Sequence, residues 1–207
     1  QWGGVFQLNL AAFQTDYEDM QLFIFATTPS GNFTQLTRNA ADAEISGIEA
    51  EFVWQITDMF QLSGSYANIS SELVNAQIDT DGDGGFENFN GTRPDNTSDY
   101  TATLVASFNV PLSNGSNLDF RADWRAHSDV YDDIGEDPNR RHDSYNVLGA
   151  RATWTSASDR YAVSVWGRNL TEEEYTINVG PYQPNLNQLN FSYAEPRVIG
   201  ATLSVAF

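Results

Sequence analysis

The residues most suggestive of chemistry form one acidic run, DTDGDGGFE, from Asp79 to Glu87. Carboxylates at Asp79, Asp81 and Asp83, followed by a glycine at the sixth position, match the first half of an EF-hand calcium loop. The match is partial because the twelfth position is Asn90 rather than a bidentate glutamate, and amphipathic helices do not flank the run. A solvated acidic loop is the default interpretation, and a Ca²⁺ loop built from Asp79, Asp81, Asp83 and Glu87 is the alternative.

A second stretch alternates charged and apolar side chains without interruption. Its polar positions are Asp119, Arg121, Asp123, Arg125, His127 and Asp129. Its apolar positions are Leu118, Phe120, Ala122, Trp124, Ala126 and Val130. A period of two predicts a strand with unlike faces, and a membrane barrel with lipid outside and a charged lumen inside would use both. The acids and arginines then form cross-strand ion pairs that line the lumen. An edge strand with a solvated charged face is the alternative.

Catalytic motifs do not accompany these residues. The sequence lacks Gly-x-Ser-x-Gly, a glycine-rich phosphate loop and His-Glu-x-x-His, and it contains no cysteine. The two histidines fit a polar network (His127) and a solvated loop (His142) better than metal ligation. A net charge of −18 with ten basic residues argues against nucleic acid as a partner. The sequence therefore predicts a protein that is not an enzyme.

The elements that would position these residues are long strands with two unlike faces. About eight alternating segments occur, near residues 5–26, 35–56, 59–75, 99–111, 118–130, 145–155, 160–175 and 195–207. They are longer than the five or six residues usual in soluble sheets. In the second segment the alternation shifts phase at Gly47, which predicts a β-bulge there. Short turns at 57–58, 111–117 and 156–159 alternate with longer loops near Pro29, Asp79, Asp133 and Pro181. This arrangement favours an all-β fold, an antiparallel transmembrane β-barrel segment of about eight strands.

The last strand agrees with a membrane barrel. Ile199, Ala201 and Leu203 lie on one face of it, and Gly200, Thr202 and Ser204 lie on the other. The strand ends in an aromatic residue, which suits a membrane interface. No run of apolar residues reaches the length of a transmembrane helix, but barrel strands alternate and do not need one.

Three motifs carry a resemblance to a known family. Residues 38–52 (RNAADAEISGIEAEF), 167–175 (GRNLTEEEY) and 196–207 (PRVIGATLSVAF) look like the C-terminal barrel signatures of TonB-dependent outer-membrane receptors. Residues 8–17 (LNLAAFQTDY) look like the strand that precedes them. The resemblance implies that residues 1–207 are the C-terminal portion of a larger barrel of about 22 strands in the bacterial outer membrane. The family's N-terminal plug domain and TonB box are not recognisable in this sequence.

The resemblance implies active transport. Such a receptor takes up a scarce ligand of the siderophore, cobalamin or saccharide class with energy from TonB. The implied partners are outer-membrane lipid, the remainder of the barrel and its plug, and the TonB complex through the missing N-terminal part. In the last long loop, side chains suited to hydrogen bonding and stacking on a polar ligand are Tyr182, Gln183, Asn185, Asn187 and Gln188.

Two other functions remain open from the sequence. One is a self-contained eight-stranded outer-membrane barrel with a structural or adhesive role. The other is a soluble, calcium-dependent carbohydrate-binding β-domain. Partition into detergent and heat-modifiable gel mobility would separate the membrane proteins from the soluble one, and the coding sequence upstream of Gln1 would separate the two membrane proteins.

Overall fold

The computed structural model describes residues 5–27, 33–79, 84–180 and 189–207. Long strands dominate it. The strands are β1 (Phe6–Thr27), β2 (Phe33–Gln55), β3 (Phe60–Val74), β4 (Gln77–Ile78), β5 (Glu87–Asn88), β6 (Tyr100–Pro111), β7 (Asn117–His127), β8 (Val130–Tyr131), β9 (Arg141–His142), β10 (Tyr145–Thr155), β11 (Tyr161–Arg168), β12 (Thr176–Val179), β13 (Phe191–Tyr193) and β14 (Val198–Val205). A single turn of 3-10 helix covers Pro138–Arg140. In the described ranges, no helix is long and apolar enough to cross a bilayer.

Eight of these strands form one antiparallel sheet in the order β1-β2-β3-β6-β7-β10-β11-β14. Each strand pairs with the next long strand along the chain, so the sheet is a continuous meander. The predicted all-β fold with about eight antiparallel strands is confirmed. Within the described residues, β1 and β14 do not pair with each other, and both edges of the sheet stay open.

The register separates the sheet into two unlike faces. One row across five strands contains Trp54, Leu62, Ala106, Ala122 and Ala150. The next positions along the same strands carry polar side chains, such as Gln55, Gln61 and Ser107. Large apolar side chains on the first face are exposed, including Leu10 at 72% and Leu203 at 69%. A contiguous exposed apolar surface of this extent indicates contact with a membrane or with another protein surface.

The main buried apolar cluster lies at one end of the sheet rather than across its middle. It lies where the β4–β5 hairpin packs against the ends of β1, β2 and β3. Its members are Leu22, Ala41, Ala43, Leu73, Ala76 and Ile78. This core therefore anchors the long loop after β3 to the sheet.

The β1–β2 hairpin is longer than a membrane crossing requires. Its strands have 22 and 23 residues, whereas about 9–11 suffice to cross a bilayer. The sheet face that is apolar elsewhere carries a row of three acids at this end of the hairpin, namely Asp16, Glu44 and Glu72. Charged side chains that face lipid destabilise a membrane protein. We therefore expect this part of the hairpin to project beyond the apolar surface of the sheet.

Two sequence expectations about local geometry are wrong. Gly47 does not mark a bulge, because it pairs in regular register with Phe13 and Ile69. The register shifts instead between Tyr17 and Gln21, near Asp19, whose φ is 57°. The Asp42 side chain accepts a hydrogen bond from the Asp19 backbone N–H (2.9 Å) and so holds the irregular turn of chain.

Gly47 serves close packing rather than a bulge, and this predicts a cost for any side chain there. A Cβ at position 47 would lie 2.6 Å from the Asn68 carbonyl oxygen and 2.8 Å from Cζ of Phe13. We expect Gly47→Ala to destabilise the protein by about 1–3 kcal/mol, as overpacking does. Urea titrations in detergent micelles would measure this. Gly180→Ala is the control, since its Cβ would meet nothing closer than 3.6 Å, and an equal loss in both variants would contradict the explanation.

The strand that the sequence predicts near residues 160–175 corresponds to β11, which is shorter than predicted. It ends at Arg168 rather than near residue 175, because Asn169 adopts a left-handed conformation with a φ of 47°. Asparagine tolerates this conformation. Its buried side chain accepts from the Glu173 N–H (2.9 Å) and donates to the carbonyls of Glu173 (2.8 Å) and Glu195 (3.2 Å). Asn169 thus fastens the loop between β11 and β12 to the segment before β14.

Candidate functional site

The charged residues predicted on one face are mostly found there. Asp119, Arg121, Asp123, Arg125 and His127 alternate along β7 on the polar face of the sheet. Asp129 differs, because it lies beyond the end of β7 and contacts Arg93 and Arg141 from the loops. Five of the six predicted side chains therefore share one surface.

The ionic contacts on this face differ from those predicted. Asp123 pairs with Arg125 on its own strand, at 3.5 Å, rather than across strands. Asp119 accepts amide hydrogen bonds from Asn109 (2.6 Å) and Asn117 (2.8 Å). Arg121 lies opposite Arg151 rather than opposite an acid. The prediction of cross-strand ion pairs is wrong, because the register places no carboxylate opposite these arginines.

A cavity of about 620 Å³ opens on the polar face, and we call it the arginine cavity. Arg121, Arg125, Arg151 and Arg168 line it, together with Asp123 and Glu195. Trp166 and Tyr175 supply aromatic walls. Sequence reasoning missed Arg151 and Arg168 as members of this group, since only the pairing of β7, β10 and β11 brings them beside Arg121.

Three aromatic rings stack above this cavity. His127 stacks on Tyr145 with ring centroids 5.4 Å apart, and Tyr145 stacks on Tyr175 at 3.9 Å. His127 Nδ1 also donates a hydrogen bond to the Ser128 carbonyl oxygen, 2.7 Å away, so the ring acts in a polar network as predicted. The stack connects the C-terminal end of β7 and the N-terminal end of β10 to the segment that precedes β12.

Arg93 links two of the long loops, and sequence reasoning did not single it out. It comes from the loop between β5 and β6, and its guanidinium contacts Glu136 (3.0 Å), Asp99 (3.0 Å) and Asp129 (3.3 Å). It also stacks over the Tyr131 ring at 5.1 Å. Burial would lower the pKa of the guanidinium, but hydrogen bonds to these carboxylates raise it above its ordinary value. We call this group the Arg93 cluster.

The Arg93 cluster predicts that the loops lose stability at acid pH. Burial raises the pKa of Asp129, but hydrogen bonds and charges from Arg93 and Arg141 outweigh burial and lower it overall. A carboxyl group with a lowered folded pKa stabilises the protein above its unfolded pKa of about 3.9, and this contribution is lost as pH falls through the folded value. We therefore expect loop protection from hydrogen exchange to decrease below about pH 4, and Asp129→Asn to flatten that dependence. An unchanged pH profile in the variant would contradict this assignment.

A buried ionic pair joins the connection between β7 and β10, which also contributes to the Arg93 cluster, to β12. His142 Nε2 lies 2.6 Å from Asp132 Oδ2, and both side chains are almost completely buried. Nδ1 of His142 lies 2.9 Å from the Thr176 hydroxyl, and Asp132 Oδ2 accepts a hydrogen bond from the Val179 backbone N–H. The expectation that His142 sits in a solvated loop is wrong, because its ring is the contact between the β8–β9 hairpin and β12. We call this pair with its partners the His142 lock.

The acidic loop is described only in part. Asp79 and Glu87 flank it, with Glu87 paired to Ile78 in the β4–β5 hairpin and Asp79 Oδ2 accepting from the Gly84 N–H (3.1 Å). Asp81 and Asp83 lie outside the described residues. Strands rather than helices flank this loop, and the described ranges contain no cluster of three metal-ligating side chains.

The predicted ligand-contacting residues of the last loop are Tyr182, Gln183, Asn185, Asn187 and Gln188, and all of them lie outside the described residues. The hairpin that carries this loop, β12 with β13, is described and pairs Thr176 with Tyr193. It leans on the His142 lock through Val179. The described residues on either side of the loop lie beside the arginine cavity, which Ile177 and Ala194 line.

Comparisons with known proteins agree with the fold. A family model for TonB dependent receptor-like β-barrels matches residues 1–170. The ferric yersiniabactin uptake receptor of Yersinia pestis superposes with a TM-score of 0.76 at 23% identity, over 98% of this chain and 28% of that one. The siderophore receptor PiuA of Acinetobacter baumannii gives 0.69 at 22% identity, over 95% and 26%. The ferripyoverdine receptor of the Pseudomonas aeruginosa outer membrane gives 0.62 at 16%, over 97% and 25%.

The chain thus spans only about a quarter of the length of these solved structures. A search of curated proteins found no match.

Proposed function

This chain belongs to the family of TonB-dependent receptor-like β-barrels, and we propose that it forms part of the wall of a receptor that takes up a scarce ligand with energy from TonB. Proteins of this family are outer-membrane barrels, so the chain is located in the bacterial outer membrane. We assign it no catalytic step. The ligand class to test first is a ferric siderophore, named for the structural neighbours; cobalamin and saccharides remain alternatives.

The observation that carries the proposal is an open sheet with one apolar and one polar face. Exposed side chains such as Leu10 and Leu203 would face lipid, while Arg121 and Arg125 would face the lumen. The unpaired edges of β1 and β14 need strand partners. The remainder of a larger barrel would supply both, with a plug domain inside and the TonB complex as the energy source.

The open edges also bear on the alternative of a self-contained barrel. Eight strands close alone only if the first pairs with the last, and β1 and β14 are not paired in the described part of the chain. The exposed apolar face argues against a soluble carbohydrate-binding domain. The receptor segment accounts for both features with a single arrangement.

We propose that the ordered loops capture ligand outside the membrane. The Arg93 cluster and the His142 lock hold the loops near residues 75–99, 128–144 and 169–197 against one another. The described parts of these loops are therefore fixed before ligand binds. Preorganisation of this kind lowers the entropic cost of binding.

Uptake by whole cells tests the proposal. Deletion of the gene should abolish accumulation of a radioactively labelled ferric siderophore that the host uses, and the full-length gene should restore it. The same uptake should vanish when TonB is removed. Accumulation that survives both deletions would refute the transport function for that ligand, and parallel assays with cobalamin and oligosaccharides decide the class.

Calcium binding by the acidic loop is a separate prediction. We expect calorimetric titration with Ca²⁺ to show one site in the purified protein, and Asp81→Ala/Asp83→Ala to remove it, because carboxylate oxygens are the ligands that Ca²⁺ requires. Asp58→Ala, in the short turn at the opposite end of the sheet, is the control. Absence of binding in the unaltered protein would leave the solvated acidic loop as the correct interpretation.

A further inference from the structure

The arginine cavity carries an excess of positive charge in a chain whose net charge is −18. Four of the ten basic residues line it, against the two carboxylates of Asp123 and Glu195. Both carboxylates are already engaged, since Asp123 pairs with Arg125 (3.5 Å) and Glu195 pairs with Arg168 (3.3 Å). The excess therefore falls on Arg121 and Arg151.

These two arginines have no ionic partner in the part of the chain that the structure describes. They occupy directly opposite positions in the antiparallel pairing of β7 and β10. The neighbours in the same row are Ser107 on one side and Trp166 on the other, so the row contains no acid. Directly opposite side chains have Cβ atoms about 4.5–5.5 Å apart, and like charges at that distance destabilise the sheet.

An anion placed between two such guanidinium groups removes the repulsion and gains charge-assisted hydrogen bonds. Arginine presents a planar fork of N–H donors that matches the two oxygens of a carboxylate or the oxygens of a phosphate. Surface arginines that serve only solubility do not need this arrangement. The two guanidinium groups are instead suited to bind an oxyanion together.

The walls of the cavity indicate what is attached to the oxyanion. The Trp166 ring is fixed by a hydrogen bond from its Nε1 to the Thr202 hydroxyl (3.1 Å), and the Arg168 guanidinium lies 5.1 Å from its centroid. Tyr175, held in the aromatic stack, forms another wall. Fixed aromatic walls around a few polar groups, in a volume of about 620 Å³, are typical of sites for small organic molecules.

We propose that Arg121 and Arg151 form an oxyanion-binding site on the polar face, which takes the carboxylate or phosphate group of a compound with a planar body. The inference rests on the proposed function only in that this face borders the path of the cargo. The same oxyanion chemistry could come from a free compound or from a carboxylate of polypeptide inside the lumen. The thermal stability of a variant separates these two sources.

Calorimetric titration of the purified full-length protein at low salt is the direct test. The probes are isophthalate, an aromatic dicarboxylate, and inorganic phosphate. We expect Arg121→Gln/Arg151→Gln to weaken binding of a free anion at least about tenfold, since two charge-assisted contacts are lost. Arg160→Gln, in the turn before β11, is the matched control and should bind as the unaltered protein does.

Melting temperatures decide the source of the anion. If a free compound is the natural ligand, the unaltered protein binds a probe, the double variant binds it at least about tenfold more weakly, and the double variant melts at the same or a higher temperature because the repulsion is gone. If a polypeptide carboxylate occupies the site, the unaltered protein binds no probe and the double variant melts at a lower temperature than Arg160→Gln. Absence of probe binding together with an unchanged or higher melting temperature would overturn the proposal. Uptake in cells is a separate measurement and can succeed even if this site fails.

Discussion

Replacing Arg93 by alanine should release two long loops from each other while leaving the sheet intact. The side chain is 17% exposed and contacts three carboxylates, which repel one another once the guanidinium is removed. Breaking a buried ion pair costs about 3–5 kcal/mol. Because Asp99 is half exposed, solvent screening reduces its share, and we expect a loss of roughly 2–4 kcal/mol of local stability.

Amide hydrogen exchange would measure the effect of Arg93→Ala. The reporter is the Asn96 N–H, which donates to the Tyr131 carbonyl (2.8 Å) and so bridges the two loops. Its exchange should accelerate strongly, whereas amides in the middle of β7 should not change. Arg93→Lys should rescue only in part, since an ammonium cannot contact three carboxylates with a fixed fork. Arg160→Ala serves as the control, and equal exchange in both alanine variants would contradict a linking role for Arg93.

Removing Asp132 should have a comparable effect on a different pair of loops. Asp132→Ala leaves the His142 ring and the Val179 N–H buried without their shared acceptor. Each buried group that loses its partner costs about 1–3 kcal/mol, so the total for the two groups is about 2–6 kcal/mol. We expect the β12–β13 hairpin to detach from the β8–β9 hairpin.

A double-mutant cycle tests the His142 lock. His142→Ala and Asp132→Ala should be strongly non-additive, because either change removes the same contact. The exchange rates of the Val179 and Gly180 amides report the detachment. Asp143→Ala is the control, since that side chain is 87% exposed beside the lock. Simple additivity of the two changes would mean that the pair does not act as a unit.

Some of the candidate site could be predicted from the sequence because it depends on strand periodicity. The positions of Asp119 to His127 on one face follow from a period of two, which any strand must obey. Their ionic partners could not be predicted in this way. They depend on the register between strands, and a shift of one residue would place different side chains opposite Arg121.

The loop contacts were beyond sequence reasoning for a different reason. Arg93 meets Asp129 and Glu136 across 36 and 43 residues of chain, and His142 meets Thr176 across 34. No local pattern encodes such pairings, since loop sequences lack the periodicity that marks a buried side. The expectation of a solvated His142 failed because a polar run such as Arg140 to Asp143 looks the same whether or not another hairpin packs on it.

The sequence by itself determined the number of strands in the main sheet, their antiparallel order, the apolar and polar faces and the alternation of short turns with long loops. Each of these follows from local physics, namely the opposite orientation of successive side chains and the chemistry of turns. The tertiary structure alone decided that Arg121 faces Arg151, that Arg93 gathers three carboxylates and that His142 is buried. Those contacts exist only when distant segments meet, because a charge or a ring acquires its partners from the register and packing of the folded chain.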